Sequence, residues 1–97
     1  MTKPVHLMGQ ACTGHGCFPP RASVEGEPRF TVGGVPVHLQ GQAWSAHGCP
    51  DCAPHASTLT SGAARLTVGG LQLARIGDPV ACGSTVAEGE PRFTVGD

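Results

Sequence analysis

The chain repeats one short design three times, and this repeat constrains the fold more than any other feature of the sequence. The string EGEPRFTVG occupies positions 25–33 and recurs unchanged at 88–96, and the related SGAARLTVG occupies 61–69. A second string precedes each of these copies: PVHLMGQA at 4–11, PVHLQGQA at 36–43 and QLARIGDP at 72–79. The repeats predict one domain over residues 1–97, made of units at about 4–34, 35–70 and 71–97 with no effector extension.

Each unit carries the pattern of a half-buried β-hairpin. In Arg29-Phe30-Thr31-Val32 polar and apolar residues alternate, and Gly33-Gly34 then separates this run from a second apolar run. No long window free of Gly and Pro has helical periodicity. We therefore predict an all-β fold, a small pseudo-threefold prism or cone of three β-hairpin repeats, with an irregular β-sandwich as the alternative. Two interior layers are expected, formed by Phe30, Leu66 and Phe93 and by Val32, Val68 and Val95.

Composition says what such a fold needs and which functions it excludes. The 97 residues include 15 Gly, 9 Pro and 4% aromatic residues, so the core is small and a metal, disulfides or a partner is needed to stabilise it. Six Lys and Arg against seven Asp and Glu exclude a nucleic-acid partner held by phosphate contacts. No apolar run is long enough to span a membrane and the first residues lack a signal-peptide pattern, so we expect no stable membrane anchor, no signal peptide and synthesis in the cytoplasm. In that reducing compartment, five cysteines favour metal binding over disulfides.

The loops between the repeated strings hold most of the histidines and cysteines. His15, His47 and Cys82 occupy matching loop positions in the three units, and Zn²⁺ binds four ligands of these types. The fourth ligand is expected from the long second loop, where His55 is preferred because Ala53-Pro54 gives it a stiff lead, with Cys52 and Cys49 as alternates. We predict one structural Zn²⁺ per chain, near the vertex of the cone. The alternative is that these residues are buried thiols and surface imidazoles.

Two other groups of residues are given simpler interpretations. His6 and His38 alternate with apolar residues that should point inward, so their imidazoles are expected on the surface. The motif Cys49-Pro50-Asp51-Cys52 has the spacing of a redox pair but lacks the helical context that activates such thiols. Catalysis is therefore not expected.

The repeated strings resemble the Pro-Ala-Ala-Arg, or PAAR, family. The slots at 4–7, 36–39 and 72–75 are similar to its repeat, Gly77-Asp78 before Cys82-Gly83 is similar to its Gly-Asp and Cys-Gly turn, and Gly14–Cys17 is similar to its first histidine loop. Only the third slot keeps Ala74-Arg75, since the first two read Pro-Val-His-Leu. Gly-Asp likewise becomes Gly-Gln in the first two units.

The resemblance implies a β-cone whose zinc is held by three histidines and one cysteine, which selects His15, His47, His55 and Cys82. It also implies a non-enzymatic tip, one chain per trimer, on the VgrG-like spike of a type VI secretion system or contractile phage tail. Such a tip sharpens the spike for membrane piercing, is secreted with it, and is compatible with a role as adaptor for secreted effectors. We expect Phe30, Leu66 and Phe93 at the face that binds the spike. A small zinc- or thiol-dependent enzyme and a generic zinc-stabilised interaction module remain alternatives.

Overall fold

The fold is built from β-strands. A computed structural model describes residues 2–15, 18–49 and 52–96, with the backbone alone for 47–49 and 52–56. Every element of regular secondary structure within these ranges is a β-strand: β1 (Lys3–Val5), β2 (Glu27–Val32), β3 (Val35–Val37), β4 (Ala43–Cys49), β5 (Cys52–Thr58), β6 (Ala63–Val68), β7 (Leu71–Leu73) and β8 (Glu90–Val95). The predicted all-β class is confirmed. None of the described residues forms a helix with the length and apolar character to cross a membrane.

Two hairpins form where the glycine pairs predict them. β2 pairs with β3 around Gly33-Gly34, and β6 pairs with β7 around Gly69-Gly70. All four glycines have positive φ, between 59° and 84°. Two-residue hairpin turns need this conformation because its twist matches that of the strands.

A third antiparallel strand pair joins the two ends of the described chain. β8 pairs with β1, with Lys3 opposite Val95 and Pro4 opposite Thr94. Each unit thus ends in a strand that pairs with the first strand of the next unit, and the third unit pairs with the first. The repeat therefore closes on itself in space.

Main-chain hydrogen bonds link the three units into rings. One ring runs from the amide of His6 to the carbonyl of Ala74 (2.9 Å), from Ala74 to His38 (2.9 Å) and from His38 back to His6 (3.2 Å). A second set connects equivalent neighbours: Met8 to Pro36 (2.9 Å), Gln40 to Gln72 (2.8 Å) and Ile76 to Pro4 (3.1 Å). These rings show that equivalent positions of the repeat make equivalent contacts.

Two apolar clusters flank the ring that contains His6. The first consists of Val5, Leu7, Val37, Leu39, Ala63 and Leu73, and both predicted layers pack against it as half-buried side chains. The second consists of Cys12, Trp44, Leu59, Ala74, Val80 and Val86, with Cys82 packed against it. The protein is elongated, with extents of 39, 26 and 22 Å.

The prediction that His6 and His38 lie on the surface is wrong, since both side chains are fully buried. The inference from alternating polar and apolar residues assumes that one face of the sheet is exposed to solvent. Here Val5 and Leu7 face the first cluster, whereas the intervening His6 stacks on Trp44 of the second cluster. Both faces of this axial segment are therefore covered.

Gly26, Gly62 and Gly89, which mark the same position in each repeat, lie where neighbouring backbones approach closely. A Cβ atom on Gly62 would collide with the carbonyl oxygen of Leu73, and one on Gly89 would lie 2.8 Å from Cβ of Pro4. Only a residue without a side chain fits such a contact.

We expect Gly62→Ala to lower the free energy of unfolding by about 2–3 kcal/mol, because the backbone must move to admit the methyl group. Urea denaturation followed by circular dichroism measures this loss. Gly96→Ala is the matched control, because its Cβ meets no atom within 4 Å, and its change should stay within about 0.5 kcal/mol. Equal effects of the two substitutions would contradict the steric explanation.

Candidate metal centre and docking face

The first and third loops are joined at the end of the fold that contains the second apolar cluster. The amide of Thr13 donates to the carbonyl of Thr85 (2.8 Å), and the amide of Thr85 donates to Oγ1 of Thr13 (3.1 Å). Cys12 also bridges to Val86, and its sulfur accepts a hydrogen bond from the amide of Arg21 (3.4 Å). Cys12 is thus a buried packing residue.

The second loop is a hairpin rather than an irregular loop, and it contacts both of the others. The amide of Ala81 donates to the carbonyl of Thr58 at the end of β5 (2.9 Å). On the other strand, the amide of Ser45 in β4 donates to the carbonyl of Ala22 (2.9 Å). All three loops therefore converge, which the predicted metal centre requires.

Two of the predicted ligands, His15 and Cys82, belong to adjacent loop segments. A Cβ atom built on Gly83, the residue after Cys82, would lie 3.9 Å from Cγ of His15. The His15 ring also packs on Phe18, with ring centroids 4.8 Å apart. Cys82 is half-buried against the second apolar cluster, and its sulfur lies 3.4 Å from Oγ of Ser84. One imidazole and one thiol thus come from segments in direct proximity.

The remaining candidates lie on the β4–β5 hairpin, for which the backbone is described. His47 is the cross-strand partner of His55, and Cys49 is the partner of Cys52. Cross-strand partners have Cα atoms about 4.5–5.5 Å apart. The register thus places two histidine positions side by side in the loop that contacts the Cys82 segment. The side chains of all four residues lie outside the described part, as does the whole of Cys17.

Among the side chains that are described, no three His, Cys, Asp or Glu residues cluster as a metal site. Four of the six predicted donors are not among those side chains, so the ligand set stays a prediction. The donor chemistry fits zinc, because imidazole and thiolate are the ligands that structural Zn²⁺ sites use.

The predicted docking residues lie around the first apolar cluster. Phe30, Leu66 and Phe93 are half-buried against it, and the Phe30 and Phe93 ring centroids are 5.4 Å apart. Near the hairpin turns, Val35 and Leu71 are 37% and 43% exposed. A cleft of about 390 Å³ opens beside Leu66 and is lined by Arg65, Leu66, Val95 and Gly96. This face therefore presents an accessible apolar ring.

Sequence reasoning missed a buried ion pair in the third unit. The Arg75 guanidinium donates to both carboxylate oxygens of Asp78 (2.9 and 3.2 Å), and both side chains are more than 90% buried. Arg75 also reaches the carbonyls of Gly62 and Gly96 (3.4 and 3.1 Å). A signal was present in the sequence, because the first two units replace both members of the pair together, with Leu and Gln.

The family-model comparison matches residues 19–88 to the model described as the PAAR motif. The chain belongs to the PAAR family. The match covers more than half of the chain and includes His47, His55 and Cys82. Proteins of the PAAR family are structural spike-tip proteins of the kind that type VI secretion systems use. The comparison with curated proteins found no match.

Proposed function

We propose that this PAAR protein caps the end of a trimeric VgrG-like spike, one chain per trimer, and sharpens that spike for membrane piercing. The observation that carries the proposal is the pairing of β8 with β1. With the β2–β3 and β6–β7 hairpins, this pair gives one chain three similar strand pairs around an axis. A threefold spike offers three equivalent strand ends. A single chain with three equivalent strand pairs can contact all three strand ends of the spike at once.

The three strand pairs also provide unpaired edges and apolar surface for such contact. Within the described residues, β1, β3 and β7 also bond to the neighbouring unit, whereas β2, β6 and β8 each pair with one strand only and present an unpaired edge. Exposed edges favour pairing with strands of another chain. The half-buried ring of Phe30, Leu66 and Phe93 adds apolar surface that a partner would cover.

In this proposal a zinc ion stabilises the opposite, loop-bearing end. His15, His47, His55 and Cys82 are the proposed ligands, with Cys52 and Cys49 as alternates for the fourth position. Zinc would cross-link the three loops in addition to the contacts of the second apolar cluster. The protein would then be made in the cytoplasm and leave the cell as part of the ejected spike, with secreted effectors as further candidate partners.

The proposal is tested by mixing the protein with a trimeric VgrG-like spike from the same genome and weighing the complex by light scattering after gel filtration. One chain per trimer is expected. Leu66→Asp and the more exposed Leu71→Asp should weaken the complex at least tenfold, because each would place a carboxylate in the apolar contact.

Val24→Asp is the matched control, because Val24 is 54% exposed and lies outside the cluster that carries the ring. It should bind as the unchanged protein does. Absence of binding by the unchanged protein would leave a generic zinc-stabilised module as the better interpretation. Equal weakening by all three substitutions would contradict the assigned docking face.

A further inference from the structure

Between the docking face and the loops lies a buried aromatic layer that the spike-tip role does not use. It consists of His6, His38 and Trp44. His6 stacks on Trp44 with ring centroids 4.8 Å apart, and His38 meets both rings edge-on, at 5.5 Å from His6 and 5.2 Å from Trp44. Both imidazoles are fully buried, and Trp44 is 3% exposed. Two ionisable groups thus sit where water does not reach them.

Hydrogen bonds fix the tautomer of the neutral His6 ring. Its Nδ1 lies 2.8 Å from the carbonyl oxygen of Glu88, which can only accept, so Nδ1 carries the proton. Its Nε2 lies 2.8 Å from Oγ of Ser23, whose hydroxyl donates to it when the ring is neutral. Ser23 Oγ in turn accepts from the amide of Gly9 (3.2 Å). Both nitrogens of neutral His6 are therefore satisfied without a charge.

His38 has the same tautomer but only one partner. Its Nδ1 lies 2.7 Å from the carbonyl oxygen of Glu25 and must donate to it. Its Nε2 and the indole Nε1 of Trp44 are buried without a hydrogen-bond partner among the described residues. A proton added to Nε2 of His38 would therefore place a charge and a second unsatisfied donor in the layer.

Among the side chains that the structure describes, no carboxylate hydrogen-bonds to either imidazole. Besides each other, the residues that act on the pKa values of the two imidazoles are Glu25 and Glu88. The Glu25 carboxylate accepts from the amide of Ala43 (2.6 Å), and the Glu88 carboxylate accepts from the amide of Ala11 (2.7 Å). Only their main-chain carbonyls reach the rings. A protonated His38 would thus be compensated only in part, by the negative charge of Glu25, and no carboxylate acts in this way on His6.

We propose that His6 and His38 form an acid-sensitive switch, in which the fold is stable while both imidazoles are neutral and opens when they gain protons. The amides and carbonyls of these two residues belong to the main-chain ring that joins the three units. Displacing either side chain toward water would break that ring. Acid would thereby separate the units, and this effect requires neither a spike nor a metal.

The direction of the pH effect follows from the two pKa values. Burial lowers the pKa of His6 from 6.5 to about 4, opposed by its hydrogen bond to Glu88, and the positive charge that His38 can acquire lowers it further. Burial also lowers the pKa of His38, opposed by the hydrogen bond to the Glu25 carbonyl and by the negative charge of Glu25. Because the unfolded chain binds protons at higher pH than the folded one, stability falls as pH drops from about 6.5 toward 4. For His6 alone, the unfolding equilibrium constant rises about 30-fold between pH 8 and pH 5.

The test compares the unchanged protein with the double variant His6→Asn, His38→Asn by urea denaturation at pH 8, 6 and 5, in constant excess zinc. Asparagine keeps a donor near the position of Nδ1 but does not titrate. Between pH 8 and pH 5, the folding equilibrium constant of the unchanged protein should fall by a factor at least 30 times larger than that of the variant. Both proteins contain the same proposed zinc ligands, so acid release of metal contributes equally. An identical pH dependence of the two proteins would overturn the proposal.

Nuclear magnetic resonance of the unchanged protein provides a test that does not depend on how well the variant folds. The ring signals of His6 and His38, assigned with the single variants, should show the Nδ1–H tautomer. The His6 signals should not shift between pH 8 and pH 5.5, a range in which an exposed histidine titrates, and the His38 signals should titrate below pH 6.5. Ordinary titration of either ring near pH 6.5 in the folded protein would overturn the switch.

Discussion

Replacing Cys82 with serine is expected to remove the proposed zinc and to lower the thermal midpoint by roughly 20 °C or more. Structural zinc contributes on the order of 10–16 kcal/mol to small domains, whereas a folded domain is stable by only about 5–15 kcal/mol. In a domain of this size each lost kcal/mol lowers the midpoint by about 4–8 °C. Metal analysis of protein purified without chelator and a circular dichroism melt measure both effects. His15→Ala should behave in the same way.

Cys12→Ala is the matched control for a lost thiol. Cys12 is 3% exposed in the second apolar cluster, so its loss costs packing but should leave the zinc in place. A Cys82→Ser protein that still holds one zinc per chain and melts normally would contradict the proposed ligand. Chelation of the unchanged protein should reproduce the Cys82→Ser melt, and added zinc should reverse it.

The same assay identifies the fourth ligand. His55→Ala, Cys52→Ser and Cys49→Ser each remove one candidate from the β4–β5 hairpin. Only the variant that lacks a true ligand should lose metal, and His55→Ala is the expected one. Retention of zinc by His55→Ala together with its loss from Cys52→Ser would move the assignment to Cys52.

The sequence was most informative where one residue type has one geometric use. Gly33-Gly34 and Gly69-Gly70 predicted the two hairpins because paired glycines adopt the positive φ values of a tight turn. Gly62 recurs in the repeat because a neighbouring carbonyl occupies the space of its side chain. These constraints are local, so a single sequence reveals them.

Features that depend on three-dimensional closure were harder to predict. The alternation around His6 indicated a surface side chain, but the narrow axis covers both faces of its segment. The second loop contains no repeated string, so the sequence did not show that it forms the β4–β5 hairpin or that His47 pairs with His55. The partner of β8 was also hidden, since β1 lies at the far end of the chain.

The three units solve one packing problem in two ways. In the first two, the amides of Leu7 and Leu39 donate to the side-chain oxygens of Gln10 and Gln42 (both 2.9 Å). In the third, the amide of Arg75 donates to the carboxylate of Asp78 (2.7 Å), which also holds the guanidinium. A neutral pair and a charged pair thus close the same turn. Mixed pairs occur in none of the units.

We therefore expect Arg75→Leu and Asp78→Gln to be damaging singly and far milder together. Each single change leaves one buried charge without its partner, which costs about 3–5 kcal/mol. The double variant gives the third unit the Leu and Gln of the other two, so most of this loss should be recovered, apart from the hydrogen bonds of Arg75 to Gly62 and Gly96. Urea denaturation of all four proteins at pH 7 yields the coupling energy, expected to exceed about 2 kcal/mol. Additive losses would mean that Arg75 and Asp78 stabilise the fold through separate contacts rather than as a pair.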